Sequence, residues 1–212
     1  HAQAWKRTFD AYLAERAERS GEPFRPFEVS TDYLLYVDGK PRLDGVRDFL
    51  ASRGIHLPEG DEDDPPSAET VAGIGNRKNT MVNEVLRSEG VQAYEGSRRV
   101  LEAVRAAGLK TAVVTSSTNC EATLAAAGLA ELFDAQVDGN VAAAEDLEGK
   151  PAPDTYLAAA ERLGTGADRA VVIEDAIAGV QAGREGGFGL VIGVARGANY
   201  EELAYHGADL VV

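Results

Sequence analysis

Three short stretches place reactive side chains directly after apolar runs. In "AVVIEDAIAGVQAG" (residues 170–183) the run ends in two adjacent carboxylates, Glu174 and Asp175, before the chain turns small and helical. In "VVTSSTN", Thr115, Ser116 and Ser117 lead from an apolar run into a helix. In "EGKPAPDTY", Lys150 stands between Gly149 and Pro151; Pro153 stiffens the turn further, and Asp154 is placed to help cap the next helix. Adjacent acids repel and resist burial unless a cation or hydrogen bonds compensate. Mg²⁺ suits them, because it takes oxygen ligands, keeps water in its shell and commonly sits with a phosphate. Hydroxyls and N–H groups at a helix start cradle phosphate, and a lysine on a stiff turn neutralises a phosphate or a carboxylate. Each group also has a plainer reading: Asp175 as an N-cap with Glu174 in solvent, Thr115 to Ser117 as ordinary capping, Lys150 as a surface lysine. Together, at neighbouring strand ends, they make a phosphate-plus-magnesium site more coherent than three coincidences.

From about residue 96, continuous apolar runs alternate with helical patterns of about ten residues. That alternation predicts an α/β doubly wound domain, its parallel sheet covered on both faces and its ligands at the carboxyl ends of the strands. Gly108, Gly128, Gly164, Gly187 and Gly207 fit helix stops. The segment "LFDAQVDG" predicts a short strand followed by a loop. Residues 1–93 are helical by periodicity, with Trp5, Phe9, Tyr12 and Leu13 on one face of the first helix. "STDYLLY" and "LDGVRDFLASRG" read as helices separated by a turn at Gly39. The run Asp61 to Asp64 reads as a solvated loop. The domain division is therefore 1–93, all helical, and 94–212, α/β.

The chain has 212 residues, 21 Lys plus Arg against 35 Asp plus Glu, and a net charge of −14. Such a surface repels nucleic acid. No apolar run reaches the length of a membrane span, no secretory pattern opens the chain, and the lone Cys120 excludes an intramolecular disulfide; a cytoplasmic location is expected. Cys120 reads as a small residue near a helix start. Oligomeric state is not encoded in any pattern.

The strand-"TSS", "GKPAPD" and "IEDAIAGVQAG" segments, in this order and spacing, resemble the second, third and fourth motifs of the haloacid dehalogenase (HAD) superfamily, in its β-phosphoglucomutase-like branch. The resemblance covers essentially the whole chain and implies a Rossmann-like parallel-sheet core carrying an α-helical cap. It implies Mg²⁺ on Glu174 and Asp175, with Lys150 and Thr115 offsetting phosphoryl charge and Ser116 beside them. "HAQAW" resembles a cap helix whose histidine, here His1, lies near the active site. "YVDGKPRLDGV" resembles the segment supplying a cap arginine, Arg42, to the non-transferring phosphate. "GNRKN" resembles the stretch whose Lys78 and Asn79 contact the phosphosugar, and Ser117 and Asn119 match positions around the same distal phosphate. The activity implied is phosphoryl transfer on a sugar phosphate, foremost conversion of β-glucose 1-phosphate to glucose 6-phosphate through an aspartyl-phosphate. The alternatives are a sugar-phosphate phosphatase and a non-catalytic HAD-like domain of a larger carbohydrate-metabolising protein.

Two departures stand out. Ala176 stands where relatives often carry Ser. The family's first motif, strand-DxDGxxxD, is absent; its first Asp is the nucleophile and its second the general acid/base. In relatives it lies directly upstream of the "HxxAW" helix, on a strand between those ending at Thr115 and Asp175. The sole methionine is Met81, and residues 1–19 read as helix with no N-cap before them. The expectation is therefore a fragment that lacks its first core strand and is inactive alone.

Overall fold

The helical spacing of apolar residues near the start of the chain is realised in the computed structural model, which describes residues 2–196 and 199–212. Helix α1 (Ala2–Ser20) buries Trp5, Phe9, Tyr12 and Leu13, the face expected from the sequence. The stretch Val29–Val37 is also helical, but wound as a π-helix, with Asp38 N–H donating to the Tyr33 carbonyl at 2.8 Å. The wider winding turns Val37 inward and lays Tyr33 and Tyr36 against the same core. Helices α2 (Arg42–Ser52) and α3 (Val71–Glu89) complete the first unit, which comprises residues 1–38 and 42–89. At its centre the Phe9 ring is fully buried, with centroids 5.1 Å from Trp5, 5.2 Å from Phe27 and 4.2 Å from Phe49. In the acidic loop Asp61, Glu62 and Asp63 are exposed as expected, whereas Asp64 turns back to accept the Thr70 hydroxyl at 2.6 Å.

The second unit joins Gly39–Pro41 to Gly90–Val212. Its helices are α4 (Glu95–Ala106), α5 (Cys120–Ala127), α6 (Gly139–Ala144), α7 (Asp154–Leu163), α8 (Ile177–Glu185) and α9 (Tyr200–Tyr205). Its strands are β1 (Ala112–Val114), β2 (Ala135–Val137), β3 (Val171–Glu174), β4 (Leu190–Gly193) and β5 (Leu210–Val211), all paired in parallel. The five glycines expected as helix stops all take positive φ. Where the sequence reads as a loop after β2, the short α6 forms, because Asp138 caps it by accepting from Asn140 and Val141 N–H, each at 3.0 Å.

The strands are parallel, as expected. Among the described residues they form two pieces, β1–β2 and β3–β4–β5, so β1 and β3, the strands expected to flank the absent first-motif strand, are each an edge. The two-residue period of a strand sends Val172 into a core with Val180, Val191 and Leu203 and sends its neighbours the other way. With only β4 beside β3, Val171 and Ile173 stay 55 % and 53 % exposed. No helix among the described residues is long and apolar enough to cross a membrane.

Phe9→Ala empties the centre of the first unit and is expected to lower its stability by about 3–5 kcal/mol. The sole tryptophan, Trp5, lies in the same cluster. Its fluorescence during urea unfolding therefore reads this loss directly; a shift below about 1 kcal/mol contradicts the packing described.

Candidate functional site

The three motif stretches of the second unit meet at the carboxyl ends of β1 and β3. Lys150 is not a surface lysine: it is 5 % exposed, and its ammonium donates to Glu174 Oε2 at 2.7 Å and to the Val114 carbonyl at 3.5 Å. The same nitrogen lies 4.7 Å from the centroid of the Tyr156 ring, while the Tyr156 hydroxyl donates to Glu174 Oε2 at 2.5 Å. Glu174 Oε1 accepts backbone N–H groups of Asp175 and Ala176 at 3.1 and 3.2 Å. Burial pushes the Glu174 carboxyl up; the Lys150 charge and these donors outweigh it and hold the group below its ordinary value. Burial, reinforced by the facing Glu174 charge, pushes the Tyr156 hydroxyl well above its usual range, so it stays a donor.

Two local features make room for this cluster. A Cβ built on Gly179 would lie 2.3 Å from the Glu174 carboxyl carbon, so the first turn of α8 passes over the carboxylate only as glycine. Asp154 opens α7 but does not cap it; its carboxylate accepts Glu148 N–H at 3.1 Å and so closes the turn that carries Lys150.

The hydroxyls brace the turn before α5 but do not cap it: Thr115 Oγ1 accepts Ser117 N–H at 3.2 Å and Ser117 Oγ accepts Asn119 N–H at 3.1 Å, while the N-cap Asn119 makes no side-chain cap bond. Each hydroxyl keeps its own proton for another acceptor. Ser116 Oγ donates to the Gly39 carbonyl at 2.8 Å. The turn expected at Gly39 is therefore part of the second unit's strand-end region: Gly39 has φ +73°, and a Cβ there would lie 2.8 Å from that of Ala176. Cys120, at the start of α5, is buried, and burial with help from Asp138 pushes its thiol up to about 11, which leaves it inert.

Asp175 does not cap α8, whose N-cap is Ala176 with no side-chain bond. Its carboxylate instead pairs with the Arg196 guanidinium, which lies 3.9 Å from the centroid of the Tyr94 ring. Asn199 Nδ2 donates to the Asp175 carbonyl at 3.2 Å, and its amide oxygen is buried with no hydrogen-bond partner. These donors fit a magnesium ion that keeps most of its water. Asp175 already attracts a cation, and the Asn199 oxygen has capacity to accept a hydrogen bond from a water that such an ion would hold. Glu174, with both oxygens engaged, contributes charge here rather than an open ligand position. Among the described residues no group of three or more His, Cys, Asp or Glu is arranged to hold a metal.

The first unit carries a separate cationic group. Lys78 on α3 is 8 % exposed, with its ammonium 5.0 Å from the centroid of the Trp5 ring. Burial, and then the nearby Arg42 charge, lower its pKa to about 8. Arg42 Nε is buried without a hydrogen-bond partner, and burial also lowers the guanidinium's pKa despite Glu62. Gly75 allows the approach, since a Cβ there would lie 3.3 Å from that nitrogen. Asn79 follows Lys78 and is half-buried. His1 lies outside the described residues.

Sequence reasoning missed Tyr156, Arg196 and Tyr94. Arg196 was within reach, because it follows the apolar run of β4 just as the other groups follow theirs. Tyr156 lay in the "PAPDTY" stretch without a visible partner.

Gly179→Ala raises helix propensity by roughly 1 kcal/mol, but it pushes the Glu174 carboxylate off its donors and strands Lys150, a loss of about 3–5 kcal/mol. The expected outcome is net destabilisation by about 2–4 kcal/mol in urea unfolding followed by circular dichroism; a stabilised variant contradicts the geometry.

The chain is 55 % identical to the β-phosphoglucomutase of Mycobacterium bovis, over all of this chain and 82 % of that protein. It is 31 % identical to hexitol phosphatase A of Escherichia coli, over 74 % of this chain and 64 % of that protein. Its fold matches the crystal structure of β-phosphoglucomutase from Clostridium difficile with a TM-score of 0.77 at 20 % identity, over all of this chain and 83 % of that one. Residues 1–187 match the family described as haloacid dehalogenase-like hydrolase, and the chain belongs to that family.

Proposed function

We propose that this chain serves magnesium-dependent phosphoryl transfer on a sugar phosphate, most specifically the interconversion of β-glucose 1-phosphate and glucose 6-phosphate. The observation that carries the reading is the Arg42–Lys78 pair. Two like charges lie close, Lys78 buried and Arg42 half-buried, and the buried guanidinium Nε has no hydrogen-bond partner. Such a pair favours an anion that completes it. A mutase must grip a bisphosphorylated intermediate through both phosphates, and the chain carries two cationic groups on separate units, Arg42 with Lys78 and Lys150 with the Thr115 turn. A simple phosphatase needs only the second.

In this reading Lys150 directs its remaining N–H at a phosphoryl oxygen, and Thr115 donates its unused hydroxyl proton beside it. Ser117 and Asn119 on the second unit and Asn79 on the first are assigned to binding of the distal phosphate, and His1 to catalysis, by the resemblance. Asp175 holds magnesium and Glu174 fixes Lys150; when bound, the metal neutralises charge building on the transferring group. The attacking carboxylate enters on a strand between β1 and β3, each of which has an edge without a strand partner among the described residues. The phosphatase reading is favoured by likenesses to sugar-phosphate phosphatases such as hexitol phosphatase A.

Two measurements test the proposal. The protein as encoded by its gene, given β-glucose 1-phosphate, Mg²⁺ and a trace of glucose 1,6-bisphosphate, is expected to form glucose 6-phosphate; release of inorganic phosphate alone overturns the mutase reading. The second is the pH dependence of binding. Lys78 is cationic below about 8 and neutral above, whereas a phosphate monoester stays dianionic across pH 7.5 to 9.5. Affinity for glucose 1-phosphate is expected to fall as pH rises through about 8, and Lys78→Met is expected to bind weakly with a flat profile. A wild-type profile as flat as the variant's removes Lys78 from the ligand.

A further inference from the structure

Asp175 is already paired with a cation contributed by the protein itself. Its carboxylate holds the guanidinium of Arg196, on the segment that follows β4. The guanidinium is seated on the ring of Tyr94, 3.9 Å from its centroid. Tyr94 is itself anchored as the N-cap residue of α4, its carbonyl accepting Arg98 N–H at 3.1 Å. From the same post-β4 segment Asn199 pins the Asp175 carbonyl. Glu174, next in sequence, cannot exchange roles with Asp175, because four donors fill its oxygens.

We propose that Arg196, seated on Tyr94, is a surrogate counter-ion for Asp175: it holds the carboxylate when no divalent cation is bound, and it withdraws when one binds. The inference rests on the reading that Asp175 receives magnesium. Two cations compete for one carboxylate, so the strength of the first sets the apparent affinity of the second. The Arg196 and Asp175 side chains are 34 % and 44 % exposed. A pair so screened is weak, and stacking on an aromatic ring adds a modest increment. The clamp is therefore strong enough to fix a resting position and weak enough to be displaced. Arg196 is a positioning residue here, acting through Asp175.

The test is isothermal titration of Mg²⁺ into the wild-type protein and into Arg196→Gln, Tyr94→Leu and Asp175→Asn. Arg196→Gln is expected to bind Mg²⁺ about 3- to 10-fold more tightly, and Tyr94→Leu about 2- to 3-fold more tightly. Tyr94→Leu keeps every charge, so its gain separates loss of the seat from simple removal of a positive charge. A second readout is thermal: Arg196→Gln is expected to melt below wild type in EDTA and level with it in saturating Mg²⁺. If Asp175→Asn abolishes binding but either of the other variants binds Mg²⁺ no more tightly than wild type, the proposal is overturned and the metal reading stands. If wild type binds no Mg²⁺, or Asp175→Asn binds as wild type does, the metal reading fails and the proposal with it.

Discussion

The second unit is organised around one buried charge pair, Lys150 with Glu174. An ammonium and a carboxylate with side chains 4 % and 12 % exposed cost several kcal/mol each to desolvate, and their attraction repays this only when the remaining donors and acceptors are also satisfied. Here they are. Tyr156 closes one carboxylate oxygen, the Asp175 and Ala176 N–H groups close the other, and the Val114 carbonyl takes a second ammonium proton. The pair thereby ties the end of β1, the turn before α7 and the start of α8 to one another. It also fixes which acid is inward and which is outward: Glu174 serves the lysine, and Asp175 is left facing Arg196.

That division of labour refines the meaning of two adjacent acids at a strand end. Repulsion between them is relieved not by one shared cation but by two separate ones, Lys150 inside and Arg196 outside. The first unit solves a different electrostatic problem in the opposite way. Arg42 and Lys78 are like charges brought together and offset only in part by Glu62, with an aromatic ring beneath one and a buried unpartnered nitrogen on the other. Compensated charge builds structure, and uncompensated charge marks a place for a ligand.

Much of this was legible in the sequence. Periodicity alone located α1, and strand-end position singled out Thr115, Lys150, Glu174 and Asp175. What the sequence could not express was partnership. Nothing in "KPAPDTY" says that the tyrosine reaches the same oxygen as the lysine, and nothing in "IEDAIAG" says that the glycine is there to let the glutamate lie beneath the helix. The π-winding of Val29–Val37 escaped for a related reason: a helical hydrophobic pattern does not distinguish five-residue from four-residue hydrogen bonding. The gap between β1 and β3 agrees with the absence of the first motif, whereas the exposure of Val171 and Ile173 depends on which strands lie side by side, a long-range property that a run of apolar residues leaves open.

The segment Gly39–Pro41 has a further consequence for how the chain acquires its structure. It belongs to the second unit but is carried between the two halves of the first. On a ribosome the first unit is complete before β1 emerges, because β1 begins only at Ala112. Its core can close while Gly39 still lacks Ser116, its hydrogen-bond partner, and Ala176, the residue it packs against. The turn at Gly39 can therefore close only after the first unit is complete and synthesis has passed Ala176.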